Sequence, residues 1–252
     1  MRILSSRGAR AITLTLGLLV ASPVWAARPL TTEDTGTLDP GNVELEIGVD
    51  YLRGQGAQLF LVPGGLALNF GVLPRLEGGV AASVVILDPD DKGTQVGFGD
   101  SVVKLKYRFL DETPSVPALM AAVVVRLPTG DQSRGLGQHD VDVQALAIAS
   151  KTFAPVTLTL NAGYTFITRD RALDVVNLTA SAEIQMSQSW SIVGEIVSEV
   201  ATHRQNVDRA IVRAGTVYVV HERVLFDAAV GCGLTRASPD VVVTIGVTIT
   251  LR

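Results

Sequence analysis

Few residues in this 252-residue chain are equipped for bond-making chemistry: three histidines, one cysteine and a scatter of carboxylates. His139 stands beside Asp140 and Asp142, and a second polar stretch carries Asp88, Asp90 and Asp91. A histidine within reach of carboxylates can activate water, so the two stretches would form a hydrolytic rim if the fold brought them together. Their spacing is not diagnostic, and aspartates in polar loops ordinarily serve as turn residues. The Asp88, Pro89, Asp90, Asp91 run also lacks the spacing and closing glutamate of a calcium loop. His203 and His221 fall at opposite ends of the layout derived below, so they cannot share a metal. Cys232 is a lone cysteine on an apolar face, where it serves as a small hydrophobe. No glycine-rich phosphate loop precedes a helix. Neither a metal nor a cofactor is expected.

A second group of residues suggests different chemistry. Glu44, Glu46, Asp50, Arg75, Glu77, Asp100, Lys104, Lys106, Arg108, Arg126, Asp142, Gln144, Glu183, Glu195, Glu199, Arg213, Arg223 and Asp227 occupy one side of segments whose other side is apolar. Side chains of both signs gathered on one side suit a water-filled passage whose selectivity follows from its width and its charges. Lys104, Lys106, Arg108, Arg126, Glu195, Glu199, Arg213 and Asp227 are the selectivity candidates. Interspersed small residues, among them Gly48, Gly79, Ala122 and Gly231, would leave such a passage partly unfilled. Opposed charges also pair simply to satisfy burial, so any one of them can be wall structure instead.

The elements that position these residues follow from periodicity. Val241, Val243, Ile245, Val247, Ile249 and Leu251 alternate with Thr244, Gly246, Thr248 and Thr250, the signature of a two-faced strand. The same template fits residues 42–52, 57–72, 75–87, 97–109, 116–128, 139–153, 155–168, 174–187, 190–202, 209–220, 223–235 and 240–251. Tight turns and longer polar loops alternate between these segments. The pattern predicts an all-β fold, a transmembrane antiparallel up-and-down β-barrel of about twelve strands. A soluble barrel would show the same alternation turned inside out. Three features favour the membrane: strands long enough to cross a bilayer, apolar faces nearly free of charge, and aromatics near strand ends. Tyr51, Phe60, Tyr164 and Phe166 fall at the loop end; Phe70, Tyr107, Phe109, Trp190, Tyr218 and Phe226 fall at the turn end.

Composition agrees. Charged residues are 18% of the chain and hydrophobic ones 47%, and mean hydropathy is +0.35, which excludes a disordered chain. A formal net charge of −4 offers no footprint for nucleic acid. Arg2, Arg7 and Arg10 precede an apolar run from Ala11 to Ala21, and Val24 and Ala26 satisfy the small-residue rule for cleavage before Ala27. The domain expectation is therefore a signal peptide over 1–26, a periplasmic N-terminal segment over 27–41, and the barrel over 42–252.

Several stretches resemble a known family. The start Ala27-Arg-Pro-Leu-Thr-Thr-Glu-Asp-Thr-Gly-Thr-Leu-Asp-Pro-Gly41 leads into Glu44-Leu-Glu-Ile-Gly48. Gly71-Val-Leu-Pro-Arg-Leu-Glu77, Gly97-Phe-Gly-Asp100, Lys106-Tyr-Arg-Phe109, Leu127-Pro-Thr-Gly-Asp131 and Gly233-Leu-Thr-Arg-Ala-Ser-Pro-Asp240 follow. Together they resemble the outer-membrane barrels of the MetA-pathway of phenol degradation family. The resemblance implies a bacterial outer-membrane location and a transport role tied by name to aromatic catabolism; it assigns no substrate residues. Outer-membrane barrels often end in an aromatic residue that the assembly machinery reads, whereas this chain ends Leu251-Arg252. The expected function is a channel or facilitator passing small, aromatic or organic solutes through a narrow polar lumen, without catalysis. Its expected partners are outer-membrane lipid, the solutes, and the barrel-assembly machinery during biogenesis. The alternatives are a barrel hydrolase using the rim around His139, and a closed structural barrel.

Overall fold

In the computed structural model, residues 28–54, 57–89, 93–138, 140–203 and 208–251 are described, with side chains omitted at 57–65, 83 and 89. The proposed leader and His139, Asp90 and Asp91 lie outside the described residues. Alternating apolar and polar positions give strands β1 (Val43–Gly54), β2 (Ala57–Leu73), β3 (Leu76–Pro89), β4 (Gln95–Phe98), β5 (Ser101–Leu110), β6 (Ala118–Leu127) and β7 (Asp142–Phe153). They continue as β8 (Val156–Ile167), β9 (Val175–Gln185), β10 (Trp190–Ala201), β11 (Arg209–His221), β12 (Val224–Gly233) and β13 (Val241–Thr250).

Successive strands pair antiparallel, except that β5 pairs with β3 and not with β4, and β1 pairs with both β2 and β13, closing the ring. The last seam runs unbroken from Glu44 opposite Thr250 to Arg53 opposite Val241. β4 and β5 both pair with β3, so they are two parts of one barrel strand interrupted at Gly99 and Asp100; the barrel therefore has twelve strands. The interruption falls inside the 97–109 segment that the periodicity reads as continuous. Its cause is Asp100, whose carboxylate accepts from the backbone N–H groups of Gly130 (3.0 Å) and Gln138 (2.7 Å) and so ties the following loop to the barrel rim.

Closure decides where the side chains point. With the ring closed, backbone polar groups of the barrel body pair strand to strand, a requirement for any structure surrounded by hydrocarbon. The one outer edge among the described strands is that of the short β4, which meets the loop at Asp131 and Arg134. Outward positions are apolar and exposed, as at Leu105, Leu160, Val230 and Ile245, whereas inward Thr244 and Thr248 are buried. Tyr107, Phe109, Trp190, Tyr218 and Phe226 project outward at the turn end, and Tyr164 stacks on Phe166 at the loop end, ring centroids 4.6 Å apart. Lys151 faces outward near the turns, where its ammonium bonds to Glu112 (2.9 Å) and lies over the Phe153 ring. That satisfies its charge at the interface, where a cation on the outer face costs little.

At the loop end, Asp174 organises the β8–β9 connection. Burial works against its charged form, but the Ile167 N–H (2.8 Å), the Tyr164 hydroxyl (2.8 Å) and the Arg171 guanidinium (2.7 Å) all donate to it. They hold the Asp174 carboxyl below its ordinary value of 3.8.

Two measurements check this architecture. Ile245 is 59% exposed at mid-strand, so Ile245→Arg should destabilise the folded barrel by about 2–4 kcal/mol, whereas Thr244→Ser should leave the urea midpoint in bilayers nearly unchanged. Because the folded-state value of Asp174 is depressed, its stabilisation is complete above 3.8 and lost as pH falls through the folded value. Exchange of the Ile167 amide should therefore accelerate in that acid window in the native protein, and already be fast at neutral pH in Asp174→Ala.

Candidate functional site

The inward faces carry the charged set, and they enclose something the periodicity does not contain. Residues Arg28–Asn42 do not lie outside the barrel as a periplasmic segment: they run inward from the turn end and cross the lumen as a strap. Their root is fixed at β2. Gly41 adopts a left-handed φ of 82° and donates to the Gly71 carbonyl (3.0 Å), and Gly71 donates back to the Asn42 carbonyl (3.0 Å). A Cβ at Gly71 would collide with the Asp39 carbonyl, so this close approach requires glycine.

From there the strap answers one wall residue after another. Leu38 N–H donates to Glu77 (2.8 Å), and the Thr35 carbonyl accepts from Arg108 (3.0 Å). Glu33 exchanges two hydrogen bonds with the Asn161 amide, both 2.8 Å, while its carboxylate lies 2.7 Å from Lys104 and 3.7 Å from Lys106. Lys106 reaches Glu77 as well, at 3.0 Å. The backbone N–H groups of Thr31 (3.0 Å) and Thr32 (2.9 Å), with the Thr32 hydroxyl (2.7 Å), donate to Glu195. Arg213 pairs with that carboxylate at 2.8 Å and donates to the Thr31 hydroxyl. Leu30 packs on an inward apolar cluster of Val193, Val217 and Leu225. Arg28 lies 3.6 Å from Asp227 and donates to the Ile245 carbonyl (3.3 Å). Gly48 and Gly246, opposite each other across the β1–β13 seam, make room for it: a Cβ at either would collide with the guanidinium.

The strap's partners thus stand on β3, β5, β8 and β10 through β13, so it crosses the lumen from one wall to the other. Glu195 and Asp227 are 5% and 3% exposed, and such charges are tolerable inside a protein only when paired. Removing one partner from a buried pair typically costs about 3–5 kcal/mol, because the other charge is left behind. The strap divides the remaining space in two. A cavity of about 250 Å³ on the loop side is bordered by Glu46, Lys104, Val124, Gln144, Leu146 and Asn177. A cavity of about 520 Å³ on the turn side is bordered by Asp34, Arg108, Ser150, Thr159 and Glu183.

Of the eight selectivity candidates, Lys104, Lys106, Arg108, Glu195, Arg213 and Asp227 come together around the strap. Arg126, paired with Asp142 at 3.7 Å, stands apart towards the loop end, and Glu199, 3.8 Å from Arg209, does not touch the strap but borders the loop-side cavity, both half exposed. Two other residues expected to face the lumen do not. Arg75 sits in the β2–β3 turn with a left-handed φ of 68° and pairs with Asp111, and Arg223 occupies the exposed β11–β12 turn. Both lie where the alternation ends and a turn takes over. Of the inward apolar cluster of Met120, Ala122 and Ile148, with Leu146 against it, the sequence places only Ala122 inside, because both faces of β6 and β7 are apolar there. Among the described residues no group of three or more histidine, cysteine or carboxylate side chains could hold a metal.

Known barrels share the architecture. The crystal structure of an outer membrane channel from Pseudomonas putida F1 matches with TM-score 0.68 and 14% identity, over 88% of this chain and 100% of that one. The NanC porin matches with TM-score 0.57 and 9% identity, over 82% of this chain and 100% of that chain. The KdgM porin in complex with disordered oligogalacturonate matches with TM-score 0.56 and 9% identity, over 83% and 99%. At these identities the likeness is one of fold. No curated protein matches. The model of the family described as "Putative MetA-pathway of phenol degradation" matches residues 26–251. That span contains the strap, its glycine root, the Asp100 tie and every barrel strand, and the chain belongs to this family.

Proposed function

We propose that this protein is an outer-membrane channel for small solutes, and that displacement of the N-terminal strap opens it. The observation that carries the reading is the lumen itself: charged and hydroxyl side chains line it, and cavities stand on both sides of a strap held by side-chain bonds rather than by a sheet. A barrel serving only as a scaffold has no need of two polar cavities separated by a detachable segment. The fold shared with outer membrane channels and porins supports this reading and an outer-membrane location. Membership of a family whose description names phenol degradation supports organic, including aromatic, solutes as cargo. The residues that line the path are those that would discriminate: Lys104, Lys106, Arg108, Glu195, Arg213 and Asp227 where the strap crosses, and Arg126 and Glu199 nearer the loops.

The strap equally favours a second reading, a closed structural barrel in which it is a permanent plug. Planar-bilayer recording separates the two. Glu33→Lys sets a cation against Lys104 and Lys106, and Gly48→Leu fills the space that Arg28 occupies without changing any charge. For a channel, both variants should raise the open fraction of the full chain severalfold, and the wild type should show at least brief openings. Silence in the wild type and both variants, with no solute flux into liposomes, would leave the plug reading standing.

A further inference from the structure

The loop-side cavity has a charge imbalance that selects among solutes. Lys104 is committed to Glu33, Lys106 to Glu77 and Glu33, and Arg213 to Glu195. Glu46 borders the same cavity, and no described cation lies within 4.0 Å of it; it accepts a hydrogen bond from the Asn69 amide (2.6 Å), which carries no charge. Further along the inward face of β1, Asp50 is likewise answered only by a neutral donor among the described residues, the Thr244 hydroxyl (2.7 Å). The lysines are therefore paired with the strap and with β3, while neither Glu46 nor Asp50 has a described cation within 4.0 Å.

The rest of the cavity wall is not that of a plain ion site. Val102, Val124 and Leu146 present apolar side chains to it. Gln144 donates to Asn177 (2.8 Å), which keeps these amides in fixed positions beside that apolar stretch. A bare metal ion would gain nothing from the valines and the leucine, and an anion would meet Glu46. An apolar body with one positive end satisfies both parts of the wall.

Resting on the channel reading for its cargo, we infer that this cavity takes small organic cations. The favoured solute is a protonated amine whose ammonium meets Glu46 and whose short hydrocarbon part lies against Val124 and Leu146. Charge complementarity of this kind discriminates chiefly against wrong partners.

The test compares three probes of equal length, n-butylammonium, butan-1-ol and butyrate, binding to the full chain in detergent micelles, followed by ligand-observed NMR. Butylammonium should bind about tenfold more tightly than butyrate, with butanol between them. Glu46→Gln, which preserves shape and the bond from Asn69, should remove the advantage of the cation over butanol without changing butanol itself. Glu46→Asp should keep part of it. Equal or tighter binding of butyrate, or an undiminished preference in Glu46→Gln, would overturn the assignment. Flux of n-butylammonium into liposomes is scored separately. Selective binding without flux supports the solute class and removes the channel reading, whereas flux without selective binding does the opposite.

Discussion

Hydrocarbon offers no hydrogen bonds, and nearly every other feature of this molecule follows from that. A backbone group left unpaired in the bilayer costs several kcal/mol, so the sheet has to close. The β1–β13 seam does this with an unbroken ladder. Once closed, each strand has one face in lipid and one in the interior, and the pleat sends successive side chains to opposite sides. Glu195 and Arg213 are therefore inside because Ile196 and Val212 must be outside.

Charges turned inward meet a second form of the same problem. The interior of a twelve-stranded barrel is too wide for opposite walls to touch and too narrow to be bulk water. The strap supplies the missing partners. Its backbone N–H groups answer Glu195 and Glu77, its Glu33 carboxylate answers Lys104, and its Arg28 answers Asp227. A barrel wall and a segment that would otherwise be a polar leader to β1 supply one another with charged and hydrogen-bonding partners.

The strands were legible because the lipid imposes a strict code on them: every second residue in β13 is aliphatic, and the alternation can be read by eye. The strap obeys no such code. Thr31, Thr32 and Glu33 have the composition of an ordinary solvated segment, and only knowledge of which wall residues lack partners would send them inside. One local signal was present in hindsight. Gly48 and Gly246 interrupt the inward faces of two strands that prove to be adjacent, and facing glycines leave a slot where a side chain from elsewhere must fit. The break at Asp100 was hidden for a related reason, since Gly99 and Asp100 keep the alternation while the backbone turns to serve a distant loop. The stretches carrying the family resemblance prove to be where such long-range ties are made: Gly71 at the strap root, Asp100 with Gly130 in the loop tie, and Ser238 bonded to the backbone of Ala210.

Whether such a strap can leave depends on opposing quantities of similar size. Ordering one residue of backbone costs roughly 1–2 kcal/mol, and a hydrogen bond to a charged group contributes roughly 1.5–3 kcal/mol net. Along the strap, charged bonds to the wall come at Leu38, Thr35, Glu33, Thr32, Thr31 and Arg28, while among the described residues Gly36 and Asp34 bond only to one another, so neither quantity overwhelms the other. On leaving, the strap would expose Glu195 and Lys104 to water entering the widened lumen, and hydration would replace part of what the strap had supplied. A plug made of β-strand, bonded residue by residue to the wall, would have no such exchange available. A sparse, charge-centred attachment is what a removable partition needs, and on the channel reading the control of opening would fall at Glu33, Glu195 and the paired glycines that receive Arg28.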